Sequence, residues 1–199
     1  MLSQWQETAR PQHRGTQRNL AFVPWETLSP KPGPDDTTRL SAAADSIGYW
    51  WENAFGNTTV LNESPAQVTT LHYRPLPLCI RAEKATSDID LSIALMAALK
   101  AGCDIQLSTA SMRAWMPRAL EPLGVIISVE TRDEFEGRFP SLATTGVMVR
   151  DTAATINTMQ RAAQCRLALC AEPVLANGRL ELLHCLREVV TTRRVEAKK

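Results

Sequence analysis

The sequence is short of the features that mark most specialised classes of protein. Aromatic residues make up only 6% of its 199 positions, there are 3 histidines, and 22 Lys and Arg are balanced by 21 Asp and Glu, a net charge of +1. So even a balance gives no broad field to draw in nucleic acid or anionic lipid. No apolar run approaches the roughly 20 residues that span a bilayer as a helix. The opening, MLSQWQETARPQHRG, lacks the apolar stretch of a secretion signal. These absences predict a soluble, cytoplasmic chain with no nucleic-acid partner and no membrane span. The sequons Asn57-Thr58-Thr59 and Asn62-Glu63-Ser64 then read as chance.

Cysteine is also sparse and unpatterned. Cys79, Cys103, Cys165, Cys170 and Cys185 are odd in number and scattered among apolar residues, which is no disulfide framework. They read as small buried hydrophobes in a reducing compartment. Cys165, Cys170 and His184 do not have zinc-knuckle spacing, so no metal is expected. Phosphate-binding glycine loops of the Gly-x-Gly-x-x-Gly and Walker types are missing, as is His-Glu-x-x-His. Only His13, His72 and His184 offer a base at neutral pH.

What is present is globular in proportion, with 44% hydrophobic and 22% charged residues. Residues 1–37 read as an irregular arm, because Pro11, Pro24, Pro30, Pro32 and Pro34 remove backbone donors and fix φ. Asp35 and Asp36 fall in that arm and read as a solvated turn. Residues 38–195 read as one α/β domain, followed by a charged tail over 196–199. Leu40, Ala43, Ile47, Trp50, Trp51 and Phe55 fit a helix over Thr38–Phe55 that Gly56 stops.

From Tyr73 onward, short apolar runs alternate with longer helical patterns. Strands are expected at Leu78–Ala82, Ile105–Ser108, Val125–Val129, Gly146–Val149 and Leu167–Cys170. Helices are expected at Ile89–Ala101, capped by Ser87 and closed by Gly102, at Met112–Leu123, around Arg132–Phe139 and at Thr152–Cys165. Leu180–Val190 closes as a helix or a helix-to-strand transition. Such alternation implies a Rossmann-like parallel sheet with flanking helices. Trp50-Trp51 is the most unusual local feature: neighbours on a helix point to different faces, so either both serve the core or one fills it while the other is free for a partner.

Several segments carry a family resemblance. Arg14-Gly15-Thr16-Gln17-Arg18-Asn19-Leu20 is similar to a stretch near the end of the dehydrogenase part of the proline utilization A enzymes, which are bifunctional. Tyr49-Trp50-Trp51-Glu52-Asn53-Ala54-Phe55 and Leu71-His72-Tyr73-Arg74-Pro75-Leu76-Pro77 resemble the opening of the C-terminal domain in the longer members. Gly178-Arg179-Leu180-Glu181-Leu182-Leu183, followed by Leu186-Arg187-Glu188, resembles their closing motif. The middle of the chain is similar to the NAD-binding half of the aldehyde dehydrogenase superfamily. There the lysine that would hold the adenosine ribose falls at Ser108, and a glycine that admits the cofactor falls at Asp151. An acid near a pyrophosphate would repel it. The catalytic cysteine segment and the Glu-Leu-Gly-Gly of that superfamily have no match here.

The resemblance implies a non-catalytic, aldehyde-dehydrogenase-like domain with no cofactor of its own, in a parent that uses FAD and NAD. Its partners would be the aldehyde dehydrogenase module of the same polypeptide and a second subunit. Packing residues would be Trp50, Trp51, Tyr73, Arg74, Arg187 and Glu188. The alternatives are a free-standing Rossmann-like nucleotide-binding protein or small oxidoreductase, and a regulatory interaction domain unrelated to proline.

Overall fold

The computed structural model describes residues 32–194, so most of the proline-rich arm, with the Arg14–Leu20 segment and His13, lies outside the described residues, as does the tail. Helix α1 (Pro34–Trp50) begins earlier than the sequence pattern indicates. Pro34 sits in its first turn, where a missing N–H costs nothing, and Asp35 and Asp36 lie in that turn rather than in a loop. There their charge favours the positive helix end. A π-helical turn, Trp51–Phe55, continues the chain, with the Gly56 N–H bonded to the Trp51 carbonyl at 2.8 Å.

Strands β1 (Thr59–Glu63) and β2 (Gln67–Pro75) follow as an antiparallel hairpin, and β8 (Leu186–Arg194) pairs with β2 along its whole length. This sheet has the order β1-β2-β8. The sequence pattern missed it before Tyr73, because its strands are mostly polar on both faces and have no alternation to detect. The closing segment resolves into α7 (Gly178–Leu183) and then β8.

The main sheet is the expected parallel one. It comprises β3 (Leu78–Ala82), β4 (Ile105–Thr109), β5 (Ile126–Val129), β6 (Met148–Arg150) and β7 (Leu169–Cys170), in the order β5-β4-β3-β6-β7. Side chains alternate across it. Leu78, Ile80 and Ala82 enter one core with α2 (Asp88–Ala101), while Cys79 and Val149 enter a second with Phe135, Phe139 and Leu142. Helix α2 is apolar all round because α1 and α7 cover the side away from β3. It starts where Ser87 accepts from the Ile89 N–H at 3.1 Å and ends where Gly102 takes φ 79°.

Of the remaining helices, three are shorter than their sequence patterns and a fourth, Phe139–Thr144, is not expected from them. They are α3 (Trp115–Leu120), with a 3-10 turn over Glu121–Leu123, then α4 (Arg132–Gly137), α5 (Phe139–Thr144) and α6 (Ile156–Gln164). Thr131 and Glu134 form a reciprocal capping box that fixes the start of α4. Gly178 lets α7 meet α1 backbone to backbone: its N–H donates to Ser46 Oγ at 2.9 Å.

Candidate functional site

In an open parallel sheet the crevice lies beyond the carboxyl ends of the strands, where the strand order reverses. Here that point falls between β3 and β6. The side chains gathered there are charged and buried. Arg81, at the end of β3, is 2% exposed. Its Nη1 donates to Ser108 Oγ at 2.8 Å and to the Glu130 carbonyl at 3.0 Å, and its Nε to Glu83 at 2.8 Å. Ser108 is thus the buried acceptor for an arginine, in the position where the resemblance places a ribose-binding lysine.

Asp151 is fully buried just after β6, and both its oxygens accept from Arg132, which also pairs with Glu83 at 2.7 Å. Its Oδ1 further accepts from the Ala153 N–H at 3.1 Å. Asp151 is thus paired with Arg132, and a continuous chain of contacts runs Asp151–Arg132–Glu83–Arg81–Ser108 across the carboxyl ends of the strands. Asp151 and Glu83 in turn hold the Arg132 guanidinium above its ordinary value, against burial, which acts the other way.

On the β7 side, Arg150 is 3% exposed and pairs with the equally buried Glu181 at 3.1 Å. Burial pushes the Glu181 carboxyl above its ordinary value, opposed by the Leu175 N–H and by Arg150. Arg81 Nη2 and Arg150 Nε have no hydrogen-bond partner among the described residues, and both side chains line a small cavity with Thr86, Asp90 and Thr152.

The expected packing residues fall in two places. Trp50 and Trp51 are both half-buried against the α1–α2 core, rather than one inside and one free. The Arg179 guanidinium covers the Trp50 ring at 5.1 Å, and Tyr49 meets it edge-on at 5.5 Å. Tyr73, Arg74, Arg187 and Glu188 lie on the antiparallel sheet. Tyr73 pairs with Glu188 and Arg74 with Arg187 across β2 and β8. The Tyr73 hydroxyl donates to Glu188 at 3.2 Å and its ring packs edge-on against Phe55 at 4.8 Å. Arg74 Nε donates to His72 at 3.2 Å. The two tryptophans thus sit on α1 and the π-helical turn, and Arg187 and Glu188 on β8. Of the residues set aside as a metal site, Cys170 and His184 do meet, with Glu172 as a third neighbour and without Cys165. Arg81, Arg132 and Arg150 were not singled out by the sequence, since lone arginines beside strands carry no motif.

Comparison with solved structures places this architecture. An aldehyde dehydrogenase from Brucella melitensis biovar abortus 2308 matches with a TM-score of 0.50 at 13% identity, over 68% of this chain and 30% of that one. The fold is aldehyde-dehydrogenase-like. Proline utilization A from Corynebacterium freiburgense matches with a TM-score of 0.45 at 17% identity, over 83% of this chain and 15% of that one. An NADP-dependent glyceraldehyde-3-phosphate dehydrogenase from Bacillus halodurans C-125, complexed with NADP, gives 0.47 at 15% identity, over 68% and 31%. The chain thus spans less than a third of the length of each of these three proteins. No protein-family model matches it, and no curated protein does. Among the described residues, no helix is long and apolar enough to cross a membrane.

Proposed function

We propose that this chain is a non-catalytic domain of a bifunctional proline-oxidising enzyme. It packs on the aldehyde dehydrogenase module of the same polypeptide and helps to enclose the cavity that passes the intermediate between active sites. The sequence motifs support the family, and the observation that carries the docking role is the antiparallel sheet. Strand β1 is exposed throughout, and Val60, Leu61 and Val190 are each more than half exposed. Among the described residues, β2 is half-buried over its middle, Tyr73 packs on Phe55, and Leu186 is buried, while β1 and most of β8 stay exposed. An unpaired edge strand carrying exposed apolar side chains is what a partner surface covers.

A nucleotide-binding role fits the crevice poorly. A dinucleotide would have to displace the Arg81–Ser108 and Arg132–Asp151 contacts, and a buried charge stripped of its partner is costly. Calorimetric titration with NAD should show no binding with a dissociation constant below about 1 mM.

The docking role is tested on the intact polypeptide by following proline oxidation and NADH formation together. Val60→Asp combined with Val190→Asp should leave the rate of proline oxidation unchanged and lengthen the lag before NADH appears. An unchanged lag in a folded double variant refutes the docking role. So does a native gene product that contains neither dehydrogenase module.

A further inference from the structure

At the carboxyl end of the edge strand β7, three side chains that the dinucleotide reading does not use stand in line. Cys170 Sγ lies 3.4 Å from His184 Nδ1, and His184 Nε2 lies 3.4 Å from a carboxylate oxygen of Glu172. On the sulfur's other side, Arg150 Nη1 donates to it at 2.7 Å. That guanidinium cannot swing away, because its second nitrogen is held by both oxygens of Glu181, at 3.3 and 3.1 Å. Glu181 is itself fixed by the Leu175 N–H at 2.9 Å.

Burial and the Arg150 charge hold His184 below its ordinary value. A neutral ring with its proton on Nε2 toward Glu172 presents its Nδ1 lone pair to the thiol. A nucleophile, a base within reach of its proton and a carboxylate that orients the base make up the arrangement of an activated nucleophile. We propose that Cys170 is an oxidisable thiol that reacts with small hydroperoxides to form a sulfenic acid, with His184 as its base and Glu172 as the residue that positions His184.

The step balances. The thiol proton passes to His184 Nδ1 as sulfur attacks the nearer peroxide oxygen and the O–O bond breaks. The departing oxygen takes that proton from Nδ1, giving Cys170–SOH and water from hydrogen peroxide. Sulfur loses two electrons and the peroxide gains them. Arg150 stabilises the negative charge that forms on sulfur as its proton leaves, before attack carries that charge to the departing oxygen. Cys170 is 9% exposed, an opening that suits a reagent of two heavy atoms better than a bulky electrophile.

The same three residues bring their sulfur, nitrogen and oxygen atoms within 4.8 Å of one another, a spacing that a zinc ion also uses. The guanidinium already bonded to the sulfur opposes a dication there, which favours the thiol chemistry.

The other cysteines are internal controls. Burial pushes the Cys79 thiol up to about 11, and a hydrogen bond with Cys103 together with burial holds Cys185 well above its ordinary value. Cys103 and Cys165 are more exposed than Cys170, so exposure alone would rank them first. The full chain is treated with hydrogen peroxide at pH 7 in the presence of dimedone, and adducts are located by mass spectrometry. The adduct on Cys170 should form about tenfold faster than on Cys103 or Cys165. His184→Asn should slow it about a hundredfold. Glu172 is 74% exposed, so Glu172→Gln leaves the core intact and should slow the reaction several-fold, which keeps the test open if the His184 variant does not fold. Adducts that follow exposure, or a Cys170 rate indifferent to either variant, overturn the proposal. Stoichiometric zinc that protects Cys170 also overturns it, and would make the three residues a metal site.

Discussion

Replacing Gly178 with alanine tests the packing of α7 on α1 more sharply than any core truncation. A Cβ at that position would stand 2.2 Å from the Ile47 nitrogen, 2.4 Å from the Ser46 carbonyl carbon and 2.5 Å from the Ile47 Cα. All three are backbone atoms, so no side chain can turn aside. To reach the 3.4 Å of ordinary contact, the two helices must part by about 1 Å. That displaces Leu40, Ala43 and Ile47 of α1 from the core they share with Leu182. Overpacking costs about 1–3 kcal/mol, and the stretched bond from the Gly178 N–H to Ser46 adds about 1, so the expected loss is about 3 kcal/mol. With a slope of about 2 kcal/mol per molar in urea, the unfolding midpoint should fall by about 1.5 M. Gly48→Ala is the matched control. Gly48 lies in α1, the helix that Gly178 meets, with open space where a Cβ would go, so alanine there should raise stability by about 0.5–1 kcal/mol. Equilibrium unfolding followed by tryptophan fluorescence reads both. A Gly178→Ala midpoint within error of the parent, or the same sign for both variants, would refute the close approach.

Removing one partner of the buried Arg150–Glu181 pair should cost about 3–5 kcal/mol, and Arg150→Met combined with Glu181→Met should cost less than the sum of the two, as a double-mutant cycle in urea would show. Glu181 has its carboxyl raised by burial, so its contribution to stability is fully present below the ordinary value of 4.5 and is lost as pH rises through the folded value; Glu181→Gln should remove that slope. Glu134 behaves in the opposite sense. The Thr131 N–H and hydroxyl hold its carboxyl low, so its contribution is present above 4.5 and is lost as pH falls through the folded value, a limb that Glu134→Gln should flatten. Ser87→Ala should lower stability by about 1 kcal/mol by uncapping α2.

The parallel sheet was legible because its strands are short apolar runs separated by helix patterns with readable ends. Ser87 and Gly102 mark both ends of α2 in the sequence and serve in those roles in the structure. Between Gly56 and Tyr73 the pattern is silent for a physical reason. Strand β1 is exposed on both faces and β2 only half-buried, so neither needs alternation, and the pairing of β2 with β8 spans more than a hundred residues, as between His72 and Val189. The site was legible in position but not in chemistry. Ser108 and Asp151 do lie at the carboxyl ends of the sheet, yet what makes each matter is an arginine from another segment, Arg81 for one and Arg132 for the other. Spacing in one segment cannot reveal a partner 27 residues away. Cys170 and His184 show the converse: the sequence separates them by 14 residues and the fold joins them.

The closing motif, which carries much of the family resemblance, changes meaning once its contacts are known. Gly178 admits the α1 backbone, Arg179 lies over Trp50, Glu181 holds Arg150, and Leu182 is fully buried. Each of these four residues packs within the chain, so they key α7 onto α1 and the end of β6, while Leu180 and Leu183 of the same motif stay exposed. Trp50 meets Arg179 and Tyr49 of the same chain and remains half-buried. A docking role must therefore rest on residues with little of their own structure to cover them, and those lie on the antiparallel sheet. Glu181 also links the two buried regions: by fixing Arg150 it sets the cation that Cys170 meets. The motif thus braces the chemistry at β7 as well as the helices above it, and a change at Glu181 should disturb both together.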